Sequence, residues 1–237
     1  MITFFLPLFY FSLLVLAPLG RADDSISDGL SVGQSKEEKD NFISCRNAAQ
    51  RGDAQAMGLL GLMYEKGRGT TKDYGEALKW LQRGAKKGDA ADQNNLGFLY
   101  LKGLGVKKDD AQALMWFQKA ADQGLASAQE NLGLMYGGGE GTHKDYEKAF
   151  GWFKKAAEQN DLEAQINLAT LYSLGEGGPK DFVESHKWFS LALKHPSLSD
   201  NQLSDLRDDI EWLEKRMSGK SIAKAKKLAA VWEPSSR

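Results

Sequence analysis

The sequence predicts an all-α protein, an α/α superhelical solenoid made of stacked helix hairpins. A tyrosine and a tryptophan recur together in four copies at a spacing of about 36 residues. The four pairs are Tyr64 and Trp80, Tyr100 and Trp116, Tyr136 and Trp152, and Tyr172 and Trp188. A repeat of this length cannot bury its own apolar side, so consecutive copies must stack on one another.

Residues 1–22 have the pattern of an export signal. An uncharged apolar run from Ile2 to Leu19 is followed by small residues at Gly20 and Ala22, which predicts a signal peptide cleaved after Ala22. No basic residue precedes the run, and its length approaches the roughly 20 residues that span a bilayer, so an uncleaved anchor is the alternative. We expect cleavage, no stable membrane span afterwards, and a periplasmic or secreted protein.

The mature chain is expected to begin with a leader and a capping helix. Residues 23–39 are mostly polar or charged, which predicts a flexible leader. Residues 40–52 predict an N-terminal capping helix that ends like a preceding copy of the repeat. The single cysteine, Cys45, takes a position that Leu81 or phenylalanine holds one period later, so we expect it in the core.

Each repeat predicts two helices joined by a glycine turn. In the first copy, Asp53 caps a helix that carries Tyr64, and Asp73 caps a second helix that carries Trp80. Glu76, three residues after Asp73, predicts a capping box. The predicted repeats span 53–195, divided as 53–88, 89–124, 125–160 and 161–195.

Glycines recur at fixed points of this frame. The turns contain Gly67 and Gly69, Gly103 and Gly105, Gly139 and Gly141, and Gly175 and Gly177. They suit the positive φ angles that end helices. Gly61, Gly97 and Gly133 fall within the first helices, where glycine costs about 1 kcal/mol relative to alanine. The repetition of that cost indicates close packing at this point.

Residues 196–237 predict C-terminal capping helices and a tail. Apolar residues recur at helical spacing from Leu203 to Met217 and again from Ile222 to Trp232, and Pro234 ends the second helix. These two helices would close the open end of the stack, because the terminal elements of a solenoid face solvent on one side.

The repeated pattern resembles the Sel-one-like repeat family, which is related to the tetratricopeptide repeats. The second copy carries it most fully, in Asn95-Leu96-Gly97, Tyr100, Gly103-Leu104-Gly105-Val106, Asp109, Ala113, Trp116 and Lys119-Ala120-Ala121. The resemblance covers roughly residues 48–195. It implies stacked helix hairpins and a role as a protein-interaction scaffold, adaptor or regulator rather than an enzyme.

By analogy with tetratricopeptide stacks, the resemblance also implies that the first helix of each repeat lines a concave groove. Counted from the shared Leu-Gly, the predicted groove residues are Leu62, Asn94, Phe98, Leu101, Glu130, Leu134, Ile166 and Thr170. We expect a partner protein or peptide to bind there reversibly. Packing between repeats is the alternative role for each of these residues.

Other functional classes have little support in the sequence. The net charge of −1 suggests neither nucleic acid nor an anionic membrane as a partner. The three histidines, His143, His186 and His195, accompany no metal-ligand spacing, so we expect surface or capping roles for them. We expect no cofactor, no metal and no catalytic residues.

Two short motifs leave an enzymatic alternative open. Ser221-Ile222-Ala223-Lys224 and Ser199-Asp200-Asn201 match two of the three motifs of penicillin-recognising enzymes, and β-lactam binding is described for some members of the resembled family. The alternative is therefore a β-lactam-binding or cell-wall-modifying enzyme. The third motif is missing and the order is reversed, which favours a helix cap at Ser199 and a solvent-facing Lys224. The resemblance suggests one more alternative, a periplasmic regulator of an envelope sensor kinase.

Overall fold

The computed structural model describes residues 35–234. Within this range the chain forms eleven α-helices and no strand, which confirms the all-α prediction. The helices are α1 Lys36–Gln50, α2 Ala54–Lys66, α3 Tyr74–Lys86, α4 Ala90–Lys102, α5 Asp110–Asp122, α6 Ala126–Gly138, α7 Tyr146–Ala157, α8 Leu162–Leu174, α9 Phe182–Ala192, α10 Asp200–Glu214 and α11 Gly219–Ala230. None of these helices is long and apolar enough to cross a bilayer.

The predictions for the signal peptide and for most of the leader lie outside the described residues. The described part of the leader is helical, because α1 begins at Lys36, four residues before the predicted start of the capping helix at residue 40. Ser35 caps this helix, and its side chain and that of Glu38 form a reciprocal capping box. The helix start is therefore set by a local cap within a segment whose composition favoured a flexible chain.

The helices pair into a regular array. The hairpins α2–α3, α4–α5, α6–α7 and α8–α9 each pack tightly, and the second helix of each hairpin packs on the first helix of the next. Helix α1 packs on α2 as the second helix of a preceding repeat would. The first helices also meet along the array, since α6 contacts α8 and Asn131 Nδ2 donates to Asn94 Oδ1 over 2.9 Å. They therefore form one continuous side of the solenoid.

Aspartates cap most of these helices, as expected. Asp73 Oδ1, for example, accepts the backbone N–H of Glu76 at 3.0 Å. The predicted return bond from Glu76 is absent, and Glu76 instead accepts from Lys79 Nζ at 2.6 Å. A cation one turn further along the same helix gives the carboxylate a charged partner, so the predicted capping box at this helix is wrong.

The mid-helix glycines make room for large side chains of their own repeat. A Cβ on Gly97 would stand 2.9 Å from the Phe117 ring, and one on Gly133 would stand 2.5 Å from Phe153. Both phenylalanines are fully buried. The close packing predicted at these glycines is present, and it is a side chain of the second helix that enters the space.

The second glycine of each turn holds neighbouring repeats together. Gly105 has a φ of +68°, and a Cβ there would collide with the backbone carbonyl of Tyr74 at the start of α3. Gly141 has the same relation to Asp110 at the start of α5, where the built Cβ lies 2.5 Å from the carbonyl oxygen. These glycines therefore serve both the turn and the contact with the preceding repeat.

Cys45 lies in the core, as predicted. Its side chain is buried, and Sγ donates to the carbonyl of Ala56 on α2 at 3.3 Å. Burial, with a smaller effect from Asp53, raises the pKa of the Cys45 thiol. The residue thus joins α1 to α2 as an apolar packing group.

The C-terminal helices α10 and α11 both pack on α9 and close this end of the array. Trp188 meets Trp232 edge to face with ring centroids 5.7 Å apart, and Phe182 meets Trp212 in the same way at 5.9 Å. The predicted closing helices are therefore present, with aromatic pairs on both sides of α9.

His186 contradicts the surface or capping role predicted for it. The residue is fully buried, with Nε2 3.0 Å from Glu214 Oε1 and Nδ1 3.1 Å from Ser190 Oγ. Lys226 Nζ approaches the same Glu214 oxygen at 2.9 Å, and Lys226 and His186 together lower the pKa of Glu214. The prediction is wrong because Glu214 of α10 covers a position that is only half-buried in the earlier repeats, where Leu78, Leu114 and Phe150 occupy it.

Candidate partner-binding groove

The candidate groove is the surface formed by the first helices α2, α4, α6 and α8. Six of the eight predicted groove residues are half-buried on these helices, where part of each side chain remains accessible. They are Leu62, Asn94, Phe98, Glu130, Ile166 and Thr170. The structure brings them onto neighbouring helices of one array, as the sequence frame requires.

The other two predicted groove residues belong to the core. Leu101 and Leu134 are only 4% and 3% exposed and lie in one apolar cluster. That cluster includes side chains from several repeats, so Leu101 and Leu134 fill space between repeats and offer almost no surface to a partner. For this pair the structure shows the alternative role, packing between repeats.

The apolar part of the groove consists of Leu62, Phe98 and Ile166, one each on α2, α4 and α8. Lys102 Nζ lies 5.8 Å from the centroid of the Phe98 ring, which places a cation over one face of this aromatic residue. The groove therefore combines separated apolar side chains with a cation beside Phe98.

Polar side chains between these apolar residues already form hydrogen bonds within the protein. Asn94 Oδ1 accepts from Asn131, and Thr170 Oγ1 donates to the carbonyl of Ile166 at 3.0 Å. Asn94 still has amide protons to offer, because only its oxygen takes part in that bond. Thr170 has used its donor and presents only acceptor capacity to a ligand.

Glu130 carries the strongest electrostatic perturbation of the groove. Burial raises the pKa of Glu130 to about 8, and the nearby charges of Asp161 and Glu163 act in the same direction. The Glu163 carboxylate in turn accepts from Gln202 of α10 at 3.0 Å. At neutral pH most Glu130 side chains are therefore protonated and can donate a hydrogen bond to a partner.

A row of glutamines, which the sequence analysis missed, links neighbouring repeats by hydrogen bonds. Gln93, Gln129 and Gln165 are buried, and each Nε2 donates to the carbonyl near the end of the preceding second helix, on Ala85, Ala121 and Ala157. Gln123 and Gln159 then donate to Gln93 and Gln129, each at 2.8 Å. The sequence signal that could have revealed this row is the recurrence of glutamine at the same position in three successive copies of the repeat.

The enzymatic motifs find no support in the geometry. Ser199 forms a capping box with Gln202 at the start of α10, which is the structural role predicted for it. Ser221 hydrogen-bonds to Ser218, the N-cap of α11, through both its N–H and its hydroxyl. Lys224 is exposed on α11. Between residues 35 and 234, no cluster of histidine, cysteine and acidic side chains is arranged to hold a metal ion.

Comparison with protein-family models identifies the repeat directly. The model of the Sel1 repeat matches four consecutive segments, 54–89, 90–125, 126–161 and 162–196. Each begins at the first residue of a first helix, one residue after the start given by the sequence frame. None of the curated proteins compared with this chain matches it.

Solved structures with the same architecture are similar over most of the chain. The crystal structure of c5321, a protective antigen present in uropathogenic Escherichia coli strains and displaying an SLR fold, is 32% identical with a TM-score of 0.72. A Sel1 repeat protein from Oxalobacter formigenes is 28% identical with a TM-score of 0.66. The similarity covers 81% and 76% of this chain but only 40% and 50% of those proteins, which extend well beyond it.

Proposed function

Since the chain belongs to the Sel1 repeat family, we propose that it is an exported scaffold, adaptor or regulator that binds a partner protein or peptide in its groove. Sel1 repeat proteins generally mediate protein–protein interactions. The observation that carries the proposal is the set of accessible side chains on three first helices, Leu62, Phe98 and Ile166, with Glu130 between them. Binding is reversible and has no covalent step.

The groove suits a peptide that crosses several repeats. Apolar side chains of the partner contact Phe98 and Ile166, while Glu130 donates to a carbonyl or, when ionised, accepts from an N–H group of the partner. Each apolar residue contributes about 1.5–3 kcal/mol when fully buried. Association and ordering cost about 4–15 kcal/mol, so three such residues alone support a weak complex, and tighter binding requires polar contacts along the groove.

A crosslinking pull-down from envelope extracts of the native host tests the groove. The variant Phe98→Asp/Ile166→Asp places charges on two accessible groove positions, and Met115→Asp is the matched control because Met115 is exposed on the second helix α5. We expect the groove variant to lose at least tenfold of the captured partner and the control to retain it. Equal capture by both variants, with unchanged circular dichroism, would refute the groove as the binding surface.

The proposed export has its own test. Residues 1–22 support it, since an uncharged apolar run precedes a small-residue cleavage pattern. Fractionation of the native host followed by N-terminal sequencing is expected to give a periplasmic or secreted product that begins at Asp23. A full-length product in the membrane fraction would establish the uncleaved anchor instead, and a full-length cytoplasmic product would overturn export.

A further inference from the structure

One acidic side chain is buried where the first two repeats meet. Asp92 of α4 is only 3% exposed. It occupies space left by two glycines, because a Cβ built on Gly58 of α2 would stand 2.8 Å from Asp92 Cγ and one on Gly84 of α3 would stand 2.7 Å from it. Three helices thus enclose one carboxyl group.

This carboxyl group lacks compensation within the described chain. Its Oδ2 is buried and has no hydrogen-bond partner, and no cation between residues 35 and 234 pairs with it. On α4, the Asp89 side chain caps the helix and adds a like charge. A buried ionised carboxylate without a partner is strongly unfavourable, so this geometry suits the protonated acid.

The charged residues of α2 and α3 do not compensate Asp92 either. Arg83 lies over the Trp80 ring, with Cζ 4.5 Å from its centroid, and Lys87 Nζ donates to the carbonyl of Gly52 at 2.7 Å. Lys86 is exposed on α3, and Glu76 and Lys79 of the same helix pair with each other at 2.6 Å. The charged residues of α2 are in its last turn, about two turns beyond Gly58. They are Glu65 and Lys66.

The later junctions have no acidic residue at the positions of Asp92 and Gly84. Ala128 and Ala164 occupy the position of Asp92, and Ala120 and Ala156 occupy that of Gly84. All four alanines are fully buried. The repeat frame therefore closes without a carboxyl group at these two positions. The third junction has its acid elsewhere, at the position of Gly58, where burial raises the pKa of Glu130.

We propose that the junction of α2, α3 and α4 is a pH-sensitive joint, which closes when Asp92 carries a proton and loosens when its carboxyl group is charged. A charged carboxylate must regain water, and it can do so only by leaving the space between Gly58 and Gly84. That movement separates the α2–α3 hairpin from α4. Leu62 and Phe98 lie on opposite sides of the joint, so the spacing of the first two apolar groove residues changes with pH.

The direction of the effect follows from the pKa of Asp92. Burial, with a smaller effect from Asp89, raises the pKa of Asp92 from 3.8 to about 7. A carboxyl group whose pKa is higher in the folded than in the unfolded chain stabilises the fold fully at low pH. That stability is lost progressively between about pH 4 and pH 7 and changes little above it. The folding equilibrium constant changes by as much as about 1000-fold over this interval.

Urea unfolding of the full chain at pH 5, 6, 7 and 8 tests the joint. Asp92→Asn keeps the shape but cannot ionise, and Asp92→Ala introduces the residue of the other junctions. The urea midpoint of the wild-type protein is expected to fall from pH 5 to pH 7 relative to both variants. Glu130→Gln is the control and should retain this difference. Wild-type and Asp92 variant profiles that run parallel across this range would overturn the proposal.

Amide hydrogen exchange locates the effect without reference to any binding partner. The measurement uses the Glu130→Gln background, because Glu130 adds its own pH dependence to the third repeat. After correction for intrinsic exchange rates, residues 54–102 are expected to open more at pH 7.5 than at pH 5.5, while residues 126–192 change less. The excess opening should disappear when Asp92→Ala is added. Opening that rises equally in both halves of the array, or that persists with Asp92→Ala, would rule out a joint at Asp92.

Discussion

The first and second junctions between repeats use the same helix arrangement but fill it differently. At the second junction two buried alanines, Ala120 and Ala128, occupy the positions that Gly84 and Asp92 hold at the first. Compared with the second junction, the first junction has one methyl group fewer, at Gly84, and a carboxyl group more, at Asp92. The comparison shows that a smaller residue at one position can be matched by a larger residue at its neighbour without a change of fold. Under the proposal, it is the carboxyl group of the larger residue that makes the first junction respond to pH.

The largest effect on stability is expected when a buried side chain of the shared repeat is shortened to alanine. Phe117→Ala is expected to lower the free energy of unfolding by about 3–5 kcal/mol, because the fully buried ring fills the space beside Gly97. Leu81→Ala, at the matching position of the first repeat, should cost about 2–5 kcal/mol. Urea denaturation measures both, and a loss below about 1 kcal/mol at either site would contradict a common core arrangement.

The exchange at the first junction can be tested by reversing it. Gly84→Ala is expected to destabilise the wild-type protein by about 1–3 kcal/mol, because the new Cβ collides with the Asp92 carboxyl group. In an Asp92→Ala background the same change restores the arrangement of the second junction and should be neutral or stabilising. A double-mutant cycle by urea denaturation measures this coupling.

A matched control separates crowding from helix propensity in that cycle. Gly151 lies in α7 with no atom within 4 Å of a built Cβ, so Gly151→Ala should stabilise the protein by up to about 1 kcal/mol. If Gly84→Ala behaves like Gly151→Ala in the wild-type background, the carboxyl group does not fill the space beside Gly84.

The glutamine row provides a smaller contrast, between the second junction and the contact of α1 with α2. Gln129→Ala is expected to cost about 1–2 kcal/mol, because it removes the two hydrogen bonds that the Gln129 side chain makes, one to the carbonyl of Ala121 and one from the amide of Gln159. The first repeat has the buried Met57 at this position, so Gln129→Met should recover the lost packing but not the hydrogen bonds. Thermal unfolding that leaves Gln129→Ala unchanged would show that the row does not stabilise the array.

The smallest expected effect is the pH dependence that Glu130 adds in the third repeat. Its pKa is raised from 4.5 to about 8, so its contribution to stability is full at low pH and is lost as the pH rises toward 8. Glu130→Gln should remove about 1 kcal/mol of this dependence between pH 5 and pH 8, since the side chain keeps some solvent contact. An unchanged melting-temperature profile would contradict the burial of this carboxyl group.

Most of the fold could be predicted because its landmarks are local. Asp73 caps α3 by accepting the backbone N–H of Glu76, three residues later, and Gly67 ends α2 with a φ of +70°. The repetition of these landmarks identified eight of the helices. The start of α1 was placed too late because the capping box at Ser35 lies in a polar segment that shows no apolar periodicity.

The candidate groove was only partly predictable. Leu62, Phe98 and Ile166 are partly accessible, but Leu101 and Leu134 are buried in a core cluster that includes side chains of several repeats. The burial of Leu101 and Leu134 depends on how the repeats stack. His186 was misassigned for a related reason, since its burial depends on α10, which the repeat frame does not include.

The sequence by itself determined the repeat, the hairpins and the points where each helix begins and ends, because caps and turns depend on residues only a few positions apart. Tertiary structure alone decided which groove residues stay accessible, which histidine is buried, and that Asp92 Oδ2 has no hydrogen-bond partner in the described part of the chain. These properties depend on atoms about 30 or more residues apart along the chain, as with Gln93 and Gln123, whose side chains meet only when the repeats stack. Burial and charge compensation are therefore consequences of the packed array.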